Sequence, residues 1–336
     1  MKPTDFSIHV TKFLTHYLAA QRNLCPNTIK AYRDVFTLLL RFCRDIKGIA
    51  IEKLRLEQIN VELIDDFLKY LETERHCTPR TLNHRLAILH AFFRYIQSEE
   101  PHFLFQSQKI MAMPVRRFVR PNVNYLSKDY LTELLAQPDL GRLDGRRDAV
   151  LLSVLYDTGA RVQELIDLSV GDVRLDHPAQ VRILGKGRKM RAVPLMGNTV
   201  QILQDYLNEN GFNSPDKFDY PLFRNRQGNR LTRFGVCYIL QKYAQQVQKA
   251  HPHFNQKISP HCLRHTKGMN LLQSGLSLDI IRDFLGHVDI KTTEIYARSN
   301  LEMKRAAIEK VSNSSITTKI PSWKENKNLL QWLQSL

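Results

Sequence analysis

Arg161, Lys186, His261, Arg264, His287 and Tyr296 stand in an order and spacing that could do chemistry on a phosphate. Arg161 lies in Thr158-Gly-Ala-Arg-Val-Gln-Glu164 and Lys186 in Gly185-Lys-Gly-Arg-Lys189. His261 and Arg264 share His261-Cys-Leu-Arg-His265, and His287, in Leu285-Gly-His287, precedes Tyr296 by nine residues. Breaking a phosphodiester without a metal needs a nucleophile, cationic donors around the non-bridging oxygens, and a proton for the departing oxygen. Arginine suits the second task, because its planar fork bonds two oxygens and stays charged. Arg161 and Arg264 both fall where helices begin, and helix N-termini already favour anions. A lysine can donate the proton if neighbouring cations lower its pKa. Lys186 is preferred for this, with Arg188 and Lys189 close enough to compete. His261 and His287 can hydrogen-bond the phosphate, and His261 could also assist proton transfer from tyrosine. A phenol of pKa ~10 is a poor nucleophile at neutral pH, and surrounding cations are expected to stabilise its phenolate.

Competing chemistries fit less well. His261 and His265, one helical turn apart, could hold zinc, but no glutamate follows the first histidine and Arg264 would repel a dication. There is no GxxxxGK[ST] phosphate loop, so no nucleotide-driven step is indicated. No acidic triad has convincing spacing, which disfavours metal-dependent strand transfer. The expectation is a reaction without metal or cofactor.

The four strings, in this order, resemble the catalytic domain of the tyrosine recombinases, integrase-like enzymes that cut and rejoin DNA through a 3′-phosphotyrosine; the resemblance covers roughly residues 127–310. It implies that Arg161 and Arg264 clamp the scissile phosphate, that Lys186 protonates the leaving 5′ oxygen, and that Tyr296 is the nucleophile. It implies supporting places for Glu164 and His265, with His265 bonding Glu164. It further implies binding to double-stranded DNA with paired inverted sites, as a dimer on each site and a tetramer in synapsis, with an accessory DNA-bending protein or a second recombinase as optional partners. A DNA-binding protein of the same fold without chemistry and a monomeric type IB topoisomerase are the alternatives. Ile290-Lys-Thr-Thr-Glu-Ile-Tyr-Ala-Arg-Ser-Asn300 and the extended tail depart from the Xer pattern, so a mobile-element recombinase is preferred over Xer-like chromosome or plasmid dimer resolution.

The elements that must position these residues read as mainly α with one small hairpin. Apolar residues recur at helical spacing over 6–21, over a helix following Cys25-Pro-Asn-Thr28 with Asn27 or Thr28 as cap, over 62–73, and over about 78–96. This four-helix unit resembles the SAM-like core-binding domain of the family, and no arm-binding module is expected ahead of it. The expectation is a two-domain, C-shaped DNA clamp. Lys30, Arg33, Arg80 and Arg85 are candidate DNA contacts. Residues 101–125 lose periodicity, carry Pro101, Pro114 and Pro121, and hold the basic run Arg116-Arg117-Phe-Val-Arg120, which reads as a linker able to cross a phosphate backbone. Residues 126–311 would form the catalytic domain. Val181–Leu184 and Met190–Pro194 alternate like paired strands around a cationic turn, with helices near 146–156, 199–209, 231–248, 261–274, 277–284 and 300–310. Residues 312–336 read as a polar stretch followed by an apolar helix that would dock in trans on a neighbouring protomer.

The 336-residue chain carries a formal charge of +16, divided as +7 over residues 1–120 and +9 over the remainder. Excess positive charge on both halves fits two surfaces facing one polyanion. The five cysteines are odd in number and form no CxxC pair, which fits a reducing compartment. No apolar run is long enough to span a bilayer and the N-terminus lacks a signal-peptide core, so the expected place is the cytoplasm, on the nucleoid.

Overall fold

The computed structural model describes residues 3–118, 123–185, 187, 189–252, 254, 256–299, 305 and 329–334. These form two compact units, Met1–Pro121 and Asn122–Leu336.

The first unit holds helices α1 (Asp5–Lys12), α2 (Pro26–Asp45), α3 (Val61–Thr73), α4 (Pro79–Glu99) and α5 (Leu104–Met111). Thr4, Asn60 and Thr78 cap α1, α3 and α4 by accepting a backbone N–H, the standard remedy for the unpaired first turn. Cys25, and not Asn27 or Thr28, is the residue before the first turn of α2; Pro26 sets that turn's φ without needing a donor. The helix expected over 6–21 changes winding midway, since Phe13–Gln21 is π-helical. Its apolar side still faces inward, where Phe13, Phe36 and Phe92 meet edge-on at 5.1–6.2 Å between ring centres.

The linker expected from residue 101 begins later. Pro101–Phe103 is a short 3₁₀ turn, and α5 follows with Ile110 buried. Gln106 pins α5 by donating to the Leu56 and Ile59 carbonyls at 2.8 and 2.9 Å. Asn83 exchanges two hydrogen bonds of 2.8 Å with the backbone of Arg116. Three prolines and a short helix hide such packing from any reading of periodicity.

The second unit is built around α7 (Leu143–Thr158), whose Leu151, Leu152, Val154 and Leu155 are all buried. Around it lie α6 (Lys128–Ala136), α8 (Val162–Asp167), α9 (Gly197–Glu209), α10 (Arg233–Ala250), α11 (Pro260–Gln273), α12 (Leu278–Leu285) and α13 (Glu294–Ser299). The expected hairpin is present as β2 (Gln180–Leu184) and β3 (Met190–Pro194), and a two-residue β1 (Val173–Arg174) makes it a three-stranded antiparallel sheet. Val181 and Ile183 point into the core while Arg182 and Leu184 face solvent, the alternation of a half-covered strand. The helix expected over 300–310 and most of 312–336 fall outside the described residues, which include only a helix at Leu329–Gln334 there. Among the described residues, no helix is long and apolar enough to cross a membrane.

Phe92 sits at the centre of the aromatic cluster with no exposed surface. Phe92→Ala should lower the stability of the N-terminal unit by about 3–5 kcal/mol. Urea unfolding of the full chain, followed by a probe in residues 1–118, should show that loss in the midpoint.

Candidate active site

The site is assembled where α7 ends. Gly159 closes α7 in the left-handed conformation at φ +54°, and a Cβ there would lie 2.6 Å from Leu285, so only glycine fits. The chain turns and Arg161 becomes the residue before α8. Glu164, one turn on and buried, accepts from the Arg161 amide at 2.9 Å and from Arg161 Nη1 at 2.5 Å. Arg161 Nη2 also reaches the Gly286 carbonyl at 3.4 Å.

Arg264 occupies the first turns of α11 and is only 1 % exposed. Its Nη1 donates to the Gly159 carbonyl and its Nη2 to the Leu285 carbonyl, both at 2.6 Å. The two carbonyls terminate α7 and α12, where unpaired C=O groups carry partial negative charge. Burial, then the repulsion of Arg161, pushes the Arg264 guanidinium down to about 10, still charged at neutral pH. Two arginines thus converge on one spot that Glu164 neutralises only in part.

Tyr296, on α13, is fully buried. Its ring lies over Gly268, where a Cβ would come within 2.5 Å of Cζ. Its hydroxyl meets His265 Nδ1 at 3.2 Å. Burial raises the phenol to about 12, and the fields of Arg264 and Arg161 only partly oppose that. Cations were expected to stabilise the phenolate; here desolvation outweighs them, and the resting side chain is a neutral phenol.

His265 was expected to bond Glu164. Instead Glu164 is occupied by Arg161 and by Arg191, whose Nη2 donates to it at 2.8 Å, and His265 turns towards Tyr296. Burial alone would raise the Glu164 carboxyl, but the bond from Arg191, the Arg161 amide, the Arg191 charge and the Arg161 side-chain bond reverse this and hold it below the ordinary range. His261 stacks edge-on against His265 at 4.7 Å and remains exposed, with its pKa lowered by desolvation and by Arg264 and Arg161. His287 Nδ1 meets Thr293 Oγ1 at 2.9 Å, and its ring lies nearly parallel to that of Tyr296 at 6.5 Å.

Arg161, Glu164, His261, Arg264, His265, His287 and Tyr296 are therefore brought together. Lys186, Arg188 and Arg120 lie outside the described residues. Of the candidate DNA contacts, Lys30, Arg33, Arg80, Arg117 and Lys189 are exposed. Arg85 donates to Cys77 Sγ at 3.1 Å and Arg116 pairs with Glu72, so both also serve the fold of the first unit.

Sequence reasoning missed four supports. Lys267, almost buried, stands 3.6 Å from Asp157 and over the Tyr156 ring at 4.8 Å. Asp157 also accepts from Thr199 at 2.5 Å. This cluster lies beneath the Thr158–Arg161 turn. Arg191 is the fourth, and it left a signal: an arginine at an inward position of an alternating strand, on the same face as Val193.

Burial leads the causes that push His265 down to about 4 and His287 to about 3, followed for His265 by His261 and Arg264 and for His287 by Arg264 and Arg161. An unfolded chain takes up these protons near pH 6.5, whereas the folded chain refuses them until pH 4 or below. The stability this contributes is complete above pH 6.5 and is lost as pH falls through that window. Wild type should therefore lose its stability advantage over a His265→Gln/His287→Gln variant between pH 7.5 and 4.5, measured by urea midpoints.

Residues 124–303 match the model described as phage integrase family, and residues 11–100 match that of the phage integrase N-terminal SAM-like domain. The chain is 37% identical to a putative integrase/recombinase, y4rC, of Sinorhizobium fredii over 96% of both chains. It is 34% identical to the tyrosine recombinase XerC of Herpetosiphon aurantiacus over 83% of this chain and 87% of that one. Among solved structures, the Tn1549 transposon integrase in complex with transposon right end DNA has the same fold, with a TM-score of 0.67 and 18% identity over 90% of this chain and 99% of that one. XerH bound to its difH substrate matches with a TM-score of 0.63 and 21% identity, covering 87% and 81%. With both halves matched and the arginine, histidine and tyrosine side chains gathered in the second, this chain belongs to the phage integrase family of tyrosine recombinases, enzymes of site-specific DNA recombination.

Proposed function

We propose that this enzyme cuts DNA by attack of Tyr296 Oη on a phosphodiester held between Arg161 and Arg264. The new bond joins the tyrosine oxygen to phosphorus, and the bond from phosphorus to the 5′ oxygen breaks. The product is a 3′-phosphotyrosine and a 5′ hydroxyl, and attack by a 5′ hydroxyl of another strand reverses the step and rejoins DNA. The observation that carries this reading is Arg264: a buried guanidinium answered by two carbonyl oxygens, beside a second arginine that shares its one carboxylate. Such a cavity favours an anion and can strengthen its grip as charge develops on the phosphate. His265 receives the phenolic proton in this reading, which is supported by its 3.2 Å contact with the Tyr296 hydroxyl and its neutral ring. Lys186, by the family resemblance, supplies the proton to the leaving oxygen.

Lys30, Arg33, Arg80, Arg117 and Lys189 are assigned to phosphate contacts that position the duplex. Paired inverted sites, a dimer on each and a tetramer in synapsis complete the reading, with 312–336 joining protomers. Mobile-element recombination is favoured over chromosome resolution, supported by identity to the putative integrase/recombinase along nearly the whole chain.

Nicked duplexes carrying candidate element ends trap the covalent state, because the small 5′ fragment diffuses away. Wild type should form a covalent adduct in the presence of chelator, and Tyr296→Phe should form none; an adduct with the phenylalanine variant would remove the nucleophile assignment. Arg264→Ala should slow adduct formation by about 100-fold or more. Sequencing DNA covalently held by the protein in cells should recover element junctions, whereas a single chromosomal resolution locus would favour the Xer-like role.

A further inference from the structure

One largely covered arginine is used by none of these steps. Arg191 is on β3 opposite Ile183, and its side chain is 11% exposed. Nη2 donates to Glu164 Oε2 at 2.8 Å and Nε donates to the Phe284 carbonyl at 3.2 Å. Its guanidinium lies against two glycines: a Cβ would meet Nη1 at 3.0 Å from Gly286 and at 3.3 Å from Gly185. Each partner belongs to a different part of the site. Glu164 holds Arg161. Phe284 lies in the last turn of α12, whose Leu285 carbonyl accepts from Arg264 and whose end leads to His287. Gly185 closes the strand pair, its N–H donating to the Lys189 carbonyl at 2.8 Å, and Lys186 follows it in the sequence.

We propose that Arg191 is a positioning residue that fixes the base of the β2–β3 hairpin against the two-arginine phosphate site and so sets where Lys186 delivers its proton. The inference rests on the reaction proposed above. Val181, Ile183 and Val193 seat the strands in the apolar core, but such packing is non-directional and does not by itself fix a donor within hydrogen-bond reach of the leaving oxygen. Among the described residues, Arg191 is the hairpin side chain whose hydrogen bonds reach Glu164 and Phe284. A guanidinium suits the task because it bonds a carboxylate and a carbonyl from one rigid plane, which a lysine cannot. Glu164 keeps two bonds from Arg161 when Arg191 is removed, so the phosphate grip persists while the hairpin loses its polar tie to the site.

A scissile phosphate in which sulfur replaces the bridging 5′ oxygen isolates the proposal. The tyrosine oxygen still bonds to phosphorus and the phosphorus–sulfur bond breaks, but the departing thiolate carries its electron pair away without needing a proton. Full-length Arg191→Ala should cut the oxygen substrate about 100-fold or more slower than wild type, the range of a lost general acid. It should cut the sulfur substrate within about tenfold of wild type and bind the DNA site with unchanged affinity. An equal loss on both substrates would overturn the proposal and make Arg191 a support of Arg161 or of the fold. Should the alanine variant not fold, Arg191→Lys is read on the same two substrates by the same criterion. Wild type and Tyr296→Phe run alongside: a wild-type adduct that depends on Tyr296 upholds the underlying reaction whichever way Arg191 falls, and no wild-type adduct on either substrate overturns both.

Discussion

Burying Arg264 is the constraint that the rest of the second unit must satisfy. An unpaired ionised group in a protein interior is costly by several kcal/mol unless its donors are met. Here they are met by the carbonyls of Gly159 and Leu285, so two helices must end at that point and at that angle. Gly159 and Gly286 both adopt positive φ to end them, and a side chain at 159 would strike Leu285. The turn that follows the first helix carries Arg161; the turn that follows the second carries His287. One side chain's solvation thus fixes the positions of two others.

The compensation is incomplete by design of the chemistry. Carbonyl dipoles satisfy hydrogen bonds without cancelling a full charge, and the nearby carboxylate of Glu164 is already shared by Arg161 and Arg191. The three guanidiniums outnumber the single carboxylate at this point. The Lys267–Asp157–Thr199 cluster beneath the turn is by contrast matched in charge, which marks it as scaffold. The balanced set holds the turn, whereas the unbalanced set, in which Glu164 and Arg191 hold Arg161 in place, leaves a net positive charge for an anion to meet.

Much of this was legible in the sequence, for a physical reason. Helix ends with glycine or a hydroxyl cap write themselves locally: Ser127, Thr158-Gly159, Ser259-Pro260 and Leu285-Gly286 all stand where helices begin or stop. The residues needed at those ends, Arg161, Arg264 and His287, could therefore be placed before any tertiary contact was known. What depends on long-range packing was not legible. That His265 meets Tyr296, 31 residues on, while Glu164 pairs with Arg191, 27 residues away, is set by tertiary packing. The docking of α5 rests on Gln106 reaching carbonyls about 50 residues away, with no local signature at all. At Tyr296 the arginines act in the expected direction but burial outweighs them, because charge can be counted from a sequence and desolvation cannot.

That last point bears on how the nucleophile works. Arg161 and Arg264 lower the Tyr296 phenol, yet burial still leaves it near 12. A phosphate bound between the two arginines would cancel much of their field at the tyrosine and raise the phenol further. The same cations cannot both grip the substrate and hold a phenolate in advance. In the proposed reaction the proton must therefore leave as the oxygen attacks, to a base already in contact with the hydroxyl. His265 meets that requirement by its contact with the hydroxyl, and burial, His261 and Arg264 hold its ring unprotonated well below neutral pH. The low pKa of the histidine and the high pKa of the tyrosine are then two consequences of one buried, cationic site, and in the proposed reaction Tyr296 keeps its proton until the step in which its oxygen attacks.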